Sequence, residues 1–68
     1  MKTSFKENLK SLRIEMGVGQ VELAKAVGVS KGIISLWENG LREPSMSSLI
    51  SLADYFKVTI DFLVGREQ

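Results

Sequence analysis

QVELAKAVGVSKGIISLWEN, residues 20 to 39, is two apolar-periodic runs separated by one glycine, and it constrains the fold more tightly than any other stretch. Residues 20 to 27 place Leu23, Ala24 and Val27 on one face, as a helix of two turns does. Gly28 follows, a residue that takes a left-handed backbone without a Cβ penalty and so ends a helix. Ser30 is a natural N-cap for a second helix over residues 30 to 39, which Gly40 stops. Two short helices joined by so tight a turn can touch only through small or apolar positions. Ala24 supplies the small one, while Leu23, Val27, Val29, Ile34 and Trp37 point into a common core.

The same punctuation extends outward. Ser4 and Glu7 have the spacing of a capping box, and Phe5, Leu9, Leu12 and Met16 recur at helical spacing, predicting a helix over 4–15 that Gly17 and Gly19 end. Residues 41 to 44 form a connector. Ser45 caps a helix over 45–56 whose apolar stripe is Met46, Leu49, Leu52, Ala53 and Phe56. Thr59 caps a last short helix over 59–64, with Ile60, Leu63 and Val64 inward, and Gly65 closes the ordered part before a frayed tail at Arg66 to Gln68. The one strand candidate, Gly32 to Trp37, lacks strict alternation. The expectation is an all-α protein, a compact five-helix bundle forming a single domain over residues 1–68.

With 68 residues, such a domain buries only about 60% of the surface its unfolded chain exposes, so its core must be well packed. No cysteine or histidine is present to staple it or to ligate a metal, and no cofactor is expected. Nine Lys and Arg against eight Asp and Glu give a net charge of +1, too small to argue for a polyanionic partner alone. The cations are uneven, however: Lys2, Lys6, Lys10 and Arg13 crowd the first quarter, while Asp54, Asp61 and Glu67 weight the end. No stretch approaches the roughly 20 apolar residues of a membrane span, and the opening has no apolar run of a leader, so a soluble, unprocessed cytoplasmic protein is expected.

The stretch GQVELAKAVGVSKGIISLWENGLREPS resembles the Cro and lambda-repressor type of helix-turn-helix proteins, the XRE family. The likeness continues through the ending SLADYFKVTIDFLVGR, the usual last two helices of that family. It implies a lambda-repressor-like fold that binds double-stranded DNA, with the third helix in the major groove, in a homodimeric transcriptional repressor.

Helical rotation of about 100° per residue identifies the outward face independently. With Ile34 and Trp37 inward, Gly32, Ser35, Leu36 and Asn39 point away from the core, and Lys31 and Ile33 lie at its margins. The resemblance makes these the groove-facing positions. It also implies a phosphate contact for Gln20 at the start of the second helix, and further phosphate grips for Asn39 and Arg42. Many relatives carry polar or cationic residues where this chain has Gly32, Ile33 and Leu36, so hydrogen-bonded readout is thin. A bidentate base contact is worth about 1–3 kcal/mol of discrimination, against about 0.8 kcal/mol for a buried methyl. Lys31 can bond a guanine edge, Ile33 and Leu36 can meet thymine methyls, and Gly32 lets the backbone approach closely. Dimerisation would then double a modest preference. The resemblance further implies an ion pair between Arg13 and Glu38 joining the first and third helices.

Quieter readings stand beside these: Trp37 and Ile34 as plain core, Ser30 as only a cap, Lys31 as a solvated lysine. Ile14, Val21, Ile50 and Phe62 fall outside the core stripes, and Phe62 with Val64 suits the seam of a two-fold dimer. The competing function is a protein-interaction module that uses the apolar Ile33 and Leu36 against another protein. An enzyme is not expected, since the chain has no Cys or His nucleophile or base, no metal set and no phosphate loop.

Overall fold

The computed structural model describes residues 4–66; Lys2, Glu67 and Gln68 lie outside the described residues. Five helices follow in order: α1 (Phe5–Met16), α2 (Gln20–Val27), α3 (Lys31–Glu38), α4 (Met46–Phe56) and α5 (Ile60–Val64), with no strand among the described residues. The helices containing Ser4, Ser30, Ser45 and Thr59 in the sequence reading start one residue later, because those residues are the N-caps themselves. Each holds an extended backbone while its side chain serves the first turn. Ser30 Oγ accepts from the Ile33 N–H at 3.2 Å and Ser45 Oγ from the Ser48 N–H at 3.2 Å. Thr59 Oγ1 accepts from the Phe62 N–H at 2.9 Å. At α1 the Glu7 carboxylate reaches back to the Ser4 N–H at 3.1 Å, the reciprocal half of a capping box. α1 runs one residue further than expected, to Met16, and α3 ends at Glu38 with Asn39 as its C-cap.

Every helix contributes to one core: Leu9 from α1, Leu23 and Ala24 from α2, Ile34 and Trp37 from α3, Leu52, Ala53 and Phe56 from α4, and Leu63 from α5. Burying an aliphatic side chain of this size stabilises by about 1.5–3 kcal/mol, which is how so short a chain offsets its ordering entropy. α3 packs on both α1 and α2, α2 reaches α4, and α5 rests on α1 and α4. Phe5 meets Trp37 edge to face, ring centroids 6.4 Å apart, so the start of α1 covers the end of α3.

Three expectations about the ends of the elements are corrected. Met46, read as core, is 64% exposed because it is the first residue of α4, projecting beyond the bundle. Met16 is likewise exposed at the end of α1. Arg66 is not frayed, since its N–H donates to the Asp61 carbonyl at 2.8 Å and closes the turn after α5. Among the described residues no helix is long and apolar enough to cross a membrane.

Candidate nucleic-acid interface

α3 stands at the surface because only one side of it is committed to the core. Ile34 and Trp37 are buried, while Lys31, Gly32 and Asn39 are exposed and Ser35 and Leu36 are half-buried. Ile33 sits at the margin of the outward face, where helical rotation places it. It is half-buried and packed against the core, and it lines a groove of about 450 Å³ with Val29, Trp37, Arg42, Pro44 and Ser48. The connector bends back over Ile33, which a helical wheel drawn for α3 alone does not reveal. Asn39 is occupied locally: its Nδ2 donates to the Ser35 carbonyl at 2.9 Å, which also accepts the Asn39 backbone N–H at 3.0 Å.

Behind this face, one carboxylate holds three elements together. Arg13 Nε donates to Glu38 Oε2 at 2.6 Å and Arg13 Nη2 to Glu38 Oε1 at 3.1 Å, a two-point contact between α1 and α3. The remaining arm of the guanidinium, Nη1, donates to the Val18 carbonyl at 3.1 Å in the turn before α2. Gln20 Nε2 donates to Glu38 Oε1 at 3.1 Å, adding α2 to the same anion. The side chains of Arg13 and Glu38 are only 14% and 4% exposed, so these charges have left water and depend on each other. The hydrogen bond to Glu38 pushes the Arg13 pKa up, keeping the guanidinium charged under all ordinary conditions. No buried side-chain polar atom among the described residues lacks a partner.

The structure thus gathers Lys31, Gly32, Ser35, Leu36 and Asn39 along one helix and sets half-buried Gln20 at the neighbouring helix start. Arg42 is exposed on the connector and lines the same groove as Ile33. Phe62 and Val64 are not brought together, since residues two apart on a helix are rotated by about 200°. Phe62 borders Lys57, Val58 and Thr59, whereas Val64 turns to Phe5, Pro44 and Leu49. Two contacts have no signal in the sequence reading: the bond of Gln20 to Glu38, and the Asn8 amide bonded to the end of α5. Their partners lie 18 and 54 residues apart, beyond any helical or turn spacing rule.

A five-helix all-α bundle that presents its third helix, after a glycine turn from the second, defines a class of domain. The family profile described as helix-turn-helix matches residues 9–63, and the chain belongs to that family. It is 41% identical over 64 residues to the transcriptional activator BcrR of Enterococcus faecalis, covering 94% of this chain and 31% of that protein. Similarity to the cryptic phage CTXphi transcriptional repressor RstR of Vibrio cholerae is 32% over 64 residues, covering 94% of this chain and 58% of that protein. The chain therefore spans about a third of the activator and somewhat over half of the repressor. The fold matches the P22 c2 repressor, solved with a synthetic operator, at a TM-score of 0.90 and 29% identity, covering 96% of this chain and 98% of that one.

Proposed function

We propose that this chain binds double-stranded DNA as a homodimeric transcriptional repressor, inserting α3 into the major groove of an inverted-repeat operator. The observation that carries the reading is the α3 face itself: Lys31 and Gly32 exposed at its start and Leu36 one turn on, in a fold that matches an operator-bound repressor over almost its whole length. In this reading Lys31, Gly32, Ser35 and Leu36 meet base edges, with Ile33 touching from the side of its groove. Gln20, Asn39 and Arg42 meet the flanking phosphates, which fix register but carry no sequence information. Phe62, 43% exposed, is the centre of the dimer seam, with Val64 at its border on the other side of α5. Repression needs only occupancy of the operator, which a DNA-binding domain supplies directly. The protein acts in the cytoplasm on the nucleoid, without cofactor or enzymatic activity.

The test is selection of binding sites from a random duplex pool at about 150 mM salt, where nonspecific phosphate contacts are already weakened. An enriched inverted repeat with half-site centres about 10 base pairs apart supports the dimeric reading. No enrichment, with only weak salt-sensitive binding, overturns sequence-specific regulation. Affinity for a protein partner that is flat in salt would place the face of α3 in the competing role of a protein-interaction surface.

A further inference from the structure

Lys6, in the first turn of α1, and Arg42, on the connector after α3, are distant in sequence yet share one surface groove. The groove, about 290 Å³, is walled by Phe5 and Trp37 and contains Lys6, Gly40, Arg42 and Glu43. Lys6 lies across the turn that ends α3. A Cβ built on Gly40 would meet Lys6 Cδ at 2.9 Å and Lys6 Nζ at 3.5 Å, so the stem lies directly on the glycine backbone. That contact needs glycine twice over, because Gly40 also has φ +72°, which side-chain-bearing residues rarely adopt. Both Lys6 and Arg42 are exposed, and among the described residues neither is in an ion pair. The adjacent Glu7 is bonded to the Ser4 N–H and meets Lys6 only as a through-space charge, the weakest influence on its carboxyl. Glu43 is the single carboxylate lining the groove. Arg42 also lines the neighbouring groove beside Ile33, so the basic pair continues the flank of α3 rather than standing elsewhere on the molecule.

We propose that Lys6 is a phosphate-binding residue which, paired with Arg42, grips one strand of the duplex backbone beside α3. The inference rests on the DNA-binding reading above and adds to it a contact from α1. The Lys6 stem already lies over Gly40, which sets its ammonium beside the end of α3. The quieter role for the same charge is to complement the carbonyl end of α3, which has no basic residue in its last turn. The two roles differ in what salt does.

The experiment compares the full chain with Lys6→Met and Lys6→Arg on a mixed-sequence duplex across a salt series, with thermal unfolding measured in parallel. Methionine keeps an apolar stem over Gly40 and removes the charge. A phosphate contact predicts that the slope of log K against log salt falls in magnitude by about 0.9, that Lys6→Arg restores it, and that melting is unchanged. Equivalently, the affinity ratio of wild type to Lys6→Met shrinks about 3-fold between about 50 and 200 mM salt. An unchanged slope, or lower melting with the slope intact, assigns Lys6 to the end of α3 and overturns the proposal while leaving DNA binding standing. Wild-type protein without salt-dependent duplex binding would overturn both.

Discussion

The side-chain amide of Asn8 donates to the carbonyl oxygens of Phe62 at 3.1 Å and Leu63 at 3.2 Å, tying the first turn of α1 to the end of α5. α5 has five residues, far too few to hold a helix unaided. It is kept by the Thr59 cap, the buried Leu63 and this amide. Asn8→Ala should cost about 1 kcal/mol in urea unfolding, because the Leu63 carbonyl loses the Asn8 donor while the Phe62 carbonyl keeps the Gly65 N–H. Amide exchange should accelerate in α5 more than in α2. Equal acceleration throughout would show that Asn8 does not act locally on α5.

Gly32 has room for a methyl group. An added Cβ would meet only Ser30 Oγ, at an ordinary 3.7 Å, and the backbone there is helical. Gly32→Ala should therefore raise stability by up to about 1 kcal/mol through helix propensity. If α3 approaches the groove floor through this glycine, duplex affinity should fall at the same time. Stability and affinity rising together would refute close approach.

The Arg13–Glu38 pair predicts a pronounced asymmetry between breaking it and replacing it. Arg13→Ala leaves a carboxylate that is 4% exposed without its cation and should cost about 3–5 kcal/mol in chemical denaturation at pH 7. For a domain whose total stability is of the order of 5–15 kcal/mol, that threatens folding outright. Replacing both members, as Arg13→Met with Glu38→Leu, should cost clearly less than the sum of the two single changes. A strictly additive double variant would mean that the pair does not interact.

Acid should loosen the start of α1. Hydrogen bonding to the Ser4 N–H, and then to its hydroxyl, holds the exposed Glu7 carboxyl below its usual pKa. The folded value is lower than the unfolded one, so the capping contribution is complete above about pH 4.3 and is lost as pH falls through the folded value. Amide exchange at Ser4, corrected for its intrinsic pH dependence, should show decreasing protection across that range, and Glu7→Gln should remove the pH response. Protection independent of pH in the wild type would contradict this.

Lys57 is the one described non-glycine residue with a left-handed backbone, φ 57° and ψ 46°, where it caps the end of α4. A left-handed conformation costs a side-chain-bearing residue about 1–2 kcal/mol. Lys57→Gly removes that strain at some cost in unfolded-state entropy, and we expect a net gain of roughly 1 kcal/mol or less, seen as a higher melting temperature. A lower melting temperature would show that the Lys57 side chain contributes more than its backbone loses.

Boundaries of helices were legible because their causes are local. A cap bonds three residues ahead and a glycine ends a helix where it stands, so Ser30, Ser45, Thr59 and Gly28 mark their own elements. Periodicity also identified the buried members of each helix, but it cannot say where a stripe outruns its neighbours. Met16 and Met46 fall on helical apolar spacing and are exposed because nothing packs beyond the bundle there. Ile33 needed the path of the connector, whereas the separation of Phe62 from Val64 follows from helical rotation alone and matches what surrounds each side of α5. The contacts that brace α3 pair residues 18 to 25 positions apart, and tertiary folding alone brings such residues together.

Gln20 is a flexible side chain that has already surrendered its freedom. Its amide is tethered to a carboxylate which is itself fixed by Arg13, so its rotamer is chosen when the protein folds rather than when a ligand docks. Immobilising such a side chain on association costs about 0.5–1.5 kcal/mol, and here most of that has been met in advance. A phosphate reaching the start of α2 therefore finds a rigid surface rather than one that must be ordered around it. In the proposed DNA-binding role, the gain from Gln20 should accordingly be seen as a smaller entropic penalty on binding, even where the contact itself is an ordinary hydrogen bond.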